Sequence, residues 1–289
     1  MKVALCTIAR NENKYIREWV EHYNTIGIDK IFIYDNNPVE GETFDEVIND
    51  YIQSGFVEVI DVRGEQKGDV FNEAGINLQP ASYIDCYENR LEGFDWVCFF
   101  DVDEFLTFRE GHTLESFLSS EKFSDVGSIM IPWEIYGDND LLSYDNRPVK
   151  TRFTTLAKKQ IYAVKSIVKV GYTIENKKRP NFIYFFELNE LPKAWIDGTK
   201  VIHHFIWAET PKSMVDNAEC VLNHYKTKSL DEFVERSYGR HYGTAGHSVK
   251  FGKVNDDPYK EIFKTYFTYN EKTDEKINYI KTKYDYTVK

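Results

Sequence analysis

An apolar run that leads directly into alternating carboxylates is the feature that constrains this chain most. Residues 96–105 read Trp-Val-Cys-Phe-Phe-Asp-Val-Asp-Glu-Phe. A short apolar run bounded by polar residues predicts a buried strand, and side chains two residues apart on a strand share one face. Asp101 and Asp103 are therefore predicted to point at one ion. Paired carboxylates suit Mg²⁺ or Mn²⁺, which keep positions open for phosphate oxygens.

Strands and helices are predicted to alternate before this motif. Apolar residues at helical spacing lie between short apolar runs, and a long segment over 72–92 precedes the carboxylates. This alternation predicts right-handed crossovers and an α/β fold, with a Rossmann-like, mainly parallel central sheet flanked by helices. The predicted strands cover 2–8, 30–34, 56–62 and 96–100, and the predicted helices cover 12–26 and 44–52.

Polar residues follow three of these strands, where ligands bind to a parallel sheet. They are the Thr7–Glu12 segment, Asp35 with the two asparagines after it, and the Asp101/Asp103 pair. A simpler interpretation is that Asn11 caps a helix and that Asp35 opens a turn before Pro38. Both roles can coexist, and we expect the three strand ends to form one ligand-binding crevice.

Several short motifs follow one another in a fixed order over residues 2–235. The early ones are Thr7-x-Ala9-Arg10-Asn11-Glu12, Glu18-Trp19, His22-Tyr23, Gly27, Tyr34–Asn37 and Asp101–Phe105. The later ones are Trp133, Tyr136-Gly137, Arg152-Phe153 and the Asn223–Ser229 segment. This ordered combination resembles the family 2 and family 92 glycosyltransferases of the GT-A fold.

The resemblance implies a transferase that uses a nucleoside-diphosphate sugar, here expected to be a UDP-sugar, with Mn²⁺ or Mg²⁺. It also implies a third metal ligand from the later part of the chain. His224 lies in a matching motif, and His203 and His204 are alternatives because imidazole is an acceptable Mn²⁺ ligand. The expected donor-binding residues are Thr7, Arg10, Asn11, Glu12, Asp35, Asp101 and Lys228.

An inverting sugar transfer needs a carboxylate that deprotonates the acceptor hydroxyl. Asp138 is the predicted base, and Glu134 and Asp140 remain alternatives because the sequence does not show which of them faces the acceptor. Trp133 is expected to stack on the acceptor, since sugars present apolar C–H faces to aromatic rings. The acceptor is expected to be a glycan or a lipid-linked saccharide of a surface or capsular polysaccharide.

The distribution of charge bears on partners and location. A net charge of −11 argues against general nucleic-acid binding. Residues 147–179 nevertheless contain ten Lys or Arg and one acid, a local charge of +9. This segment is either a solvated face or a surface for an anionic membrane or diphosphate. With no signal peptide or membrane span in the sequence, we expect a cytoplasmic protein, peripheral at the inner face of the membrane if that surface binds lipid.

The predicted domains are a GT-A glycosyltransferase domain over 1–245 and a helical C-terminal extension over 246–289. Four scattered cysteines without a Cys-x-x-Cys pair predict buried small side chains rather than zinc ligands or disulfides. Two other functions fit parts of the pattern. One is a non-catalytic nucleotide-sugar or glycan-binding protein, and the other is a haloacid-dehalogenase-type phosphohydrolase, which Phe105 and the fourth-strand position of the motif disfavour.

Overall fold

The computed structural model describes residues 1–64, 78–175, 186–201, 210–242 and 258–288. The chain forms two compact units, each built from two stretches of sequence. The first comprises Met1–Trp133 with Tyr162–Asn223, and the second comprises Glu134–Ile161 with His224–Lys289. Of the predicted metal ligands, His203 and His204 lie outside the described residues.

The helices and strands have the following bounds. The strands are β1 (Val3–Ala9), β2 (Lys30–Asp35), β3 (Val57–Asp61), β4 (Trp96–Phe99), β5 (Glu104–Phe108), β6 (Ser128–Ile135), β7 (Val164–Lys169), β8 (Lys193–Trp195), β9 (Lys200–Val201) and β10 (Cys220–His224). The helices are α1 (Ile16–Ile26), α2 (Asp45–Gln53), α3 (Leu78–Asn89), α4 (Leu114–Leu118), α5 (Val149–Arg152), α6 (Lys212–Asp216), α7 (Leu230–Tyr242), α8 (Pro258–Tyr269) and α9 (Asp274–Tyr284), with a 3₁₀ turn at Glu121–Phe123.

The sheet of the first unit begins with a parallel half. The strands β3, β2, β1 and β4 lie side by side in that order, all parallel. Each is followed or preceded by a helix because the intervening sequence places apolar residues at helical spacing. The predicted α/β fold and its Rossmann-like half are confirmed, and the element bounds differ from the predicted ones by a few residues.

The other half of the sheet is mixed. β7 pairs antiparallel with β4 and with β6, and β8 runs parallel to β6. The pairing of β7 with β4 brings a strand from residues 164–169 beside the strand that precedes the carboxylates. Sequence alternation could not predict this neighbour, since the two strands are more than 60 residues apart.

Helix α1 shows why the first unit packs as it does. Ile16, Trp19, Val20 and Tyr23 follow the i, i+3, i+4, i+7 pattern and are fully buried. Burial of each such side chain contributes about 1.5–3 kcal/mol. The helix ends at Gly27, whose φ of 98° is a left-handed conformation that glycine adopts without strain.

The second unit contains the C-terminal helices together with an earlier part of the chain. Its core combines α7, α8 and α9 through side chains such as Leu230, Phe263, Tyr266 and Ile280. A second cluster joins Ile135 and Ala157 to Tyr269. The helices after residue 258 therefore share their unit with 134–161 and 224–242. The sequence predicted these helices as a C-terminal extension over 246–289 of a domain over 1–245.

Two further expectations concern the whole chain. In the part of the chain that the structure describes, no helix combines the length and apolar character needed to cross a bilayer. The four cysteines are free and buried, as predicted.

Candidate functional site

The carboxyl edge of the parallel strands brings two of the predicted segments into direct contact. Asn11 follows β1 in a left-handed conformation, with φ of 55°, and its backbone N–H donates to Asn37 Oδ1 at 2.6 Å. The N–H of Asn37 in turn donates to Asp35 Oδ1 at 2.9 Å. The interpretation of Asp35 as the start of a turn is thus confirmed, and the same turn fixes its carboxylate at the strand end.

Asp35 is a buried carboxylate beside a cation. Its side chain is 5% exposed, and its Oδ2 lies 3.8 Å from Nε of Arg63, which also forms a 2.7 Å ion pair with the exposed Asp61. Burial raises the pKa of Asp35, and the Asn37 hydrogen bond and the Arg63 charge oppose that rise without cancelling it. A buried, oriented carboxylate at the end of a parallel strand can accept hydrogen bonds from the hydroxyls of a ribose.

The carboxylate pair lies in a turn, so the prediction that Asp101 and Asp103 share one face of a strand is wrong. β4 ends at Phe99, β5 begins at Glu104, and the N–H of Glu104 donates to the carbonyl of Asp101 at 3.0 Å. The two carboxylates consequently differ in environment: the Asp101 side chain is 32% exposed, whereas Asp103 is only 2% exposed.

The buried face of α1 holds this turn in place. The indole Nε1 of Trp19 donates to the carbonyls of Asp101 and Glu104, at 3.1 and 3.0 Å. The hydroxyl of Tyr23 donates to the same Glu104 carbonyl and accepts from the N–H of Leu106, both at 3.0 Å. Two aromatic side chains thereby bind buried backbone groups of the turn and of β5.

Four donors hold the polar groups of Asp101 and Glu104. Asp101 Oδ1 accepts from Gln79 Nε2 at 2.9 Å and from the Tyr83 hydroxyl at 3.1 Å. Asp101 Oδ2 accepts from Lys165 Nζ at 2.9 Å. The N–H of Asp101 donates to Glu104 Oε2 at 2.8 Å, and that oxygen lies 3.6 Å from Lys165 Nζ.

Lys165 and Glu104 are both buried charged groups. Their side chains are 1% and 0% exposed. Burial raises the pKa of Glu104 well above its usual range, and the ammonium of Lys165 opposes that rise. Burial alone lowers the pKa of Lys165, but the charges of Asp101 and Glu104 outweigh burial and raise it. Lys165 is therefore a protonated cation at neutral pH.

Asp101 and Asp103 are the two carboxylates of this turn that would hold a divalent cation. Within the ranges that the structure describes, no three His, Cys, Asp or Glu side chains are grouped so that they could hold a metal ion. Glu104 is fully buried, and its Oε2 is engaged by the N–H of Asp101 and by Lys165. Asp101 and Asp103 provide hard oxygen ligands, and Mg²⁺ or Mn²⁺ commonly completes its shell with substrate oxygens and water.

The remaining residues of the first unit that were predicted to bind the donor or the acceptor differ in how deeply they are buried. Thr7 is fully buried within β1, Arg10 is half-buried directly after it, and the carbonyl of Glu12 accepts the N–H groups of Tyr15 and Ile16. Trp133 is 8% exposed on β6. Their roles as donor and acceptor contacts remain predictions, and burial places Thr7 among the core residues.

Three predicted site residues, His224, Lys228 and Asp138, belong to the second unit. His224 ends β10 and is 6% exposed, and the N–H of Tyr136 donates to its carbonyl at 3.0 Å. Lys228 is 4% exposed and has φ of 52°, just before α7. Their assignments, as metal ligand and diphosphate contact, remain predictions.

Asp138, the predicted base, is buried and makes several contacts within the second unit. It is 4% exposed, and its Oδ2 accepts from the Tyr266 hydroxyl and lies 2.7 Å from Lys276 Nζ. Its Oδ1 accepts from the N–H of Asp140 at 3.0 Å. A base needs an oxygen within about 3 Å of the acceptor hydroxyl. These contacts use the carboxylate of Asp138 to organise the unit and favour its alternatives, the half-buried Glu134 and the exposed Asp140, as the base.

Two cations of the basic segment are buried in internal ion pairs. Arg152 is 1% exposed and pairs with Glu232 at 2.8 Å, and Lys165 is buried against Asp101. Lys158 and Lys159 are exposed, and Lys177, Lys178 and Arg179 lie outside the described residues. Part of the local +9 charge therefore serves internal ion pairs.

Sequence reasoning missed the residues that surround the predicted carboxylates. Gln79, Tyr83 and Lys165 come from α3 and β7 and carry no motif of their own. The one available signal was Lys165 itself, a lysine inside an apolar run that reads as a strand, where a charged side chain requires a partner.

The fold and this edge define a class of α/β protein whose parallel strands end in acidic side chains. The sequence profile of glycosyltransferase family 92 matches residues 1–286, so the chain belongs to glycosyltransferase family 92. This match confirms the predicted family, and the strand order confirms the predicted α/β fold class.

Curated relatives carry the same family name. A glycosyltransferase family 92 protein of Oryza sativa subsp. japonica is 26% identical over 241 residues, which cover 82% of this chain and 35% of that protein. One of Arabidopsis thaliana is 26% identical over 252 residues, covering 83% and 37%. This chain thus spans between a third and two fifths of the length of these relatives.

Two solved structures are also similar to the chain. S. aureus TarS aligns with a TM-score of 0.35 at 10% identity, covering 94% of this chain and 44% of TarS. An active-site mutant of LgtC aligns with a TM-score of 0.34 at 10% identity, covering 94% of this chain and 98% of LgtC.

Proposed function

We propose that this chain transfers a sugar, with inversion, from a nucleoside-diphosphate donor, most simply a UDP-sugar, to a glycan or lipid-linked saccharide. The observation that carries the proposal is the polar edge of the parallel sheet in a family 92 chain. There Asp35 is fixed at the end of β2, and Asp101 is fixed just beyond β4. Carboxylates at the ends of β2 and β4, the strands on either side of β1, can bind the nucleoside and the diphosphate of one donor.

In this proposal different residues of the crevice bind different parts of the donor. Asp35 accepts hydrogen bonds from the ribose, and Asn11 lies beside it through the contact with Asn37. Asp101 and Asp103 would hold Mn²⁺ or Mg²⁺, and the chemistry that such an ion supplies is neutralisation of the departing diphosphate. Arg10 and Lys228 remain the proposed cationic contacts of the diphosphate.

The acceptor side of the proposal rests on the segment after β6. A carboxylate of residues 134–140 deprotonates the acceptor hydroxyl. Glu134 and Asp140 are preferred to Asp138 as this base, because the carboxylate of Asp138 is already bound to Tyr266 and Lys276. Trp133 would stack on the acceptor ring. The exposed Lys158 and Lys159 would attract an acceptor that is carried by an anionic membrane surface, at the cytoplasmic face.

The experiment is a panel of nucleotide sugars, each tested with and without Mn²⁺ for thermal stabilisation and then for transfer. A ligand present at 100 times its dissociation constant adds about 2.7 kcal/mol to the free energy of unfolding. We expect stabilisation by a UDP-sugar with Mn²⁺, and loss of the Mn²⁺ dependence in Asp103→Asn. Asp125→Asn, which alters an exposed carboxylate of the same unit, is the matched control.

The outcomes separate the candidate functions. Donor binding with transfer or donor hydrolysis supports the proposal. Donor binding without any turnover supports a non-catalytic nucleotide-sugar-binding protein, which the engagement of Asp138 by Lys276 and Tyr266 also favours. If no nucleotide sugar stabilises the protein, or if Asp103→Asn keeps full Mn²⁺ dependence, the proposed donor site is wrong.

A further inference from the structure

Lys165 is a buried cation placed where the carboxylates of the crevice need one. Its side chain is 1% exposed, and its Nζ lies 2.9 Å from Asp101 Oδ2 and 3.6 Å from Glu104 Oε2. It stands on β7, which pairs with β4 up to Cys98 and Ile167. The register thus places Lys165 beyond the last β4 pair, at the level of the carboxylate turn.

The contacts of Lys165 fix the orientation of Asp101. Gln79 and Tyr83 hold Oδ1, and Lys165 holds Oδ2, so both oxygens of the carboxylate have donors. The turn itself is held by Trp19 through two backbone carbonyls. A side chain with this many partners is preorganised, and a divalent cation that pulled on Asp101 would have to compete with an ammonium already in contact with it.

We propose that Lys165 is a positioning residue of the donor site, which keeps Asp101 from binding the divalent cation tightly before the donor arrives. Its charge also offsets the negative charge of the turn, which lowers the repulsion felt by an incoming diphosphate. Lys165 therefore weakens binding of the free metal ion and strengthens binding of the nucleotide. This inference rests on the proposed function, because it assumes a nucleoside-diphosphate donor and a divalent cation at Asp101 and Asp103.

The test is the substitution Lys165→Met, which keeps most of the length of the side chain and removes the ammonium. Binding of Mn²⁺ alone is measured by electron paramagnetic resonance of the free ion. Binding of UDP at saturating Mn²⁺ is measured by calorimetry. We expect Mn²⁺ to bind about tenfold more tightly and UDP about tenfold more weakly, the size expected for one partly screened unit charge.

Lys169→Met is the matched control, since it makes the same change on the same strand at the opposite end. Lys169 Nζ donates to the Ser124 carbonyl and lies over Trp96, away from the carboxylates. It should leave both affinities unchanged. If Lys165→Met does not fold, Lys165→Gln tests the same charge while keeping an N–H donor for Asp101, and its shifts should have the same signs.

Opposite shifts in the two affinities distinguish positioning from a merely structural role, which would weaken both. Parallel weakening in a folded variant, or no change in either affinity, would overturn the inference. The proposed function fails separately: in that case the unaltered protein itself binds neither UDP nor Mn²⁺.

Discussion

Replacement of Asp138 by asparagine separates a structural carboxylate from a catalytic one. In the second unit this side chain accepts from the Tyr266 hydroxyl and the N–H of Asp140, and it pairs with Lys276 Nζ at 2.7 Å. Asparagine has one acceptor oxygen instead of two. In Asp138→Asn, one of these two donors or the 1% exposed ammonium of Lys276 therefore loses an acceptor.

The structure sets the size of the expected loss. Removing one partner of a buried ion pair costs about 3–5 kcal/mol. Lys276 keeps Asp140 at 2.7 Å and the carbonyl of Glu271 at 3.2 Å, so the lower end, about 3 kcal/mol, applies. With a urea m-value of about 2–3 kcal/mol/M, the unfolding midpoint falls by about 1–1.5 M.

Urea unfolding followed by far-ultraviolet circular dichroism measures this shift. The matched control is Asp140→Asn, which removes the other carboxylate from the same lysine but alters a side chain that is 70% exposed. In this control Lys276 keeps the buried Asp138 as its partner, and an exposed carboxylate contributes little, about 0–1 kcal/mol, so the midpoint should stay close to that of the unaltered protein. Equal midpoints for the two variants would refute the reasoning.

Transfer kinetics, measured well below both midpoints, complete the test. If Asp138 is the base, Asp138→Asn lowers turnover by about 10²–10⁴-fold even where the protein is fully folded. If the base is Glu134 or Asp140, turnover falls far less and the stability loss is the main effect. We expect the second result.

Two further predictions concern binding. Asp35→Asn should raise the Michaelis constant for the donor much more than it lowers turnover, because contacts to the nucleoside are equal in ground and transition states; Asp61→Asn, which alters the exposed partner of the same Arg63, is the control. Burial raises the pKa of Asp35, so this carboxylate takes up its proton at a higher pH than an ordinary aspartate does. As the pH is lowered, donor affinity in the unaltered protein should therefore begin to fall at that higher pH. Asp35→Asn should remove this pH dependence of donor affinity. Replacing Lys158 and Lys159 by glutamine should weaken use of a membrane-borne acceptor, more at low salt, and leave a soluble acceptor unaffected; salt-independent kinetics on both acceptors would contradict it.

The sequence was most informative where one local pattern determines both structure and position. The apolar run before Asp101 predicts β4, and the alternation of strands and helices predicts that Asp35 and Asp101 lie at one edge of a parallel sheet. The structure places them at the ends of β2 and β4, which lie on either side of β1. The turn at 101–103 was not predictable, because the interactions that end β4 early come from Trp19 and Glu104. These are tertiary contacts, which override strand propensity.

Charge was the property that the sequence described least well. Arg152 and Lys165 read as members of one cationic surface, yet each is buried with a carboxylate partner. Those partners are Glu232, 80 residues later, and Asp101, 64 residues earlier. A local count of charges cannot show which members pair over such separations, and the antiparallel position of β7 was needed to place Lys165.

The assembly of the second unit from Glu134–Ile161 and His224–Lys289 has a consequence for synthesis on the ribosome. Arg152 leaves the ribosome before its ion-pair partner Glu232 has been synthesised. Ala157 likewise leaves before Tyr269, against which it packs. At about 5–20 residues per second, that interval lasts several seconds. During this time a cation that will be buried, and the apolar side chains of the first stretch, remain in water without their native partners, so nascent chains that end between these two stretches are the natural clients of chaperones.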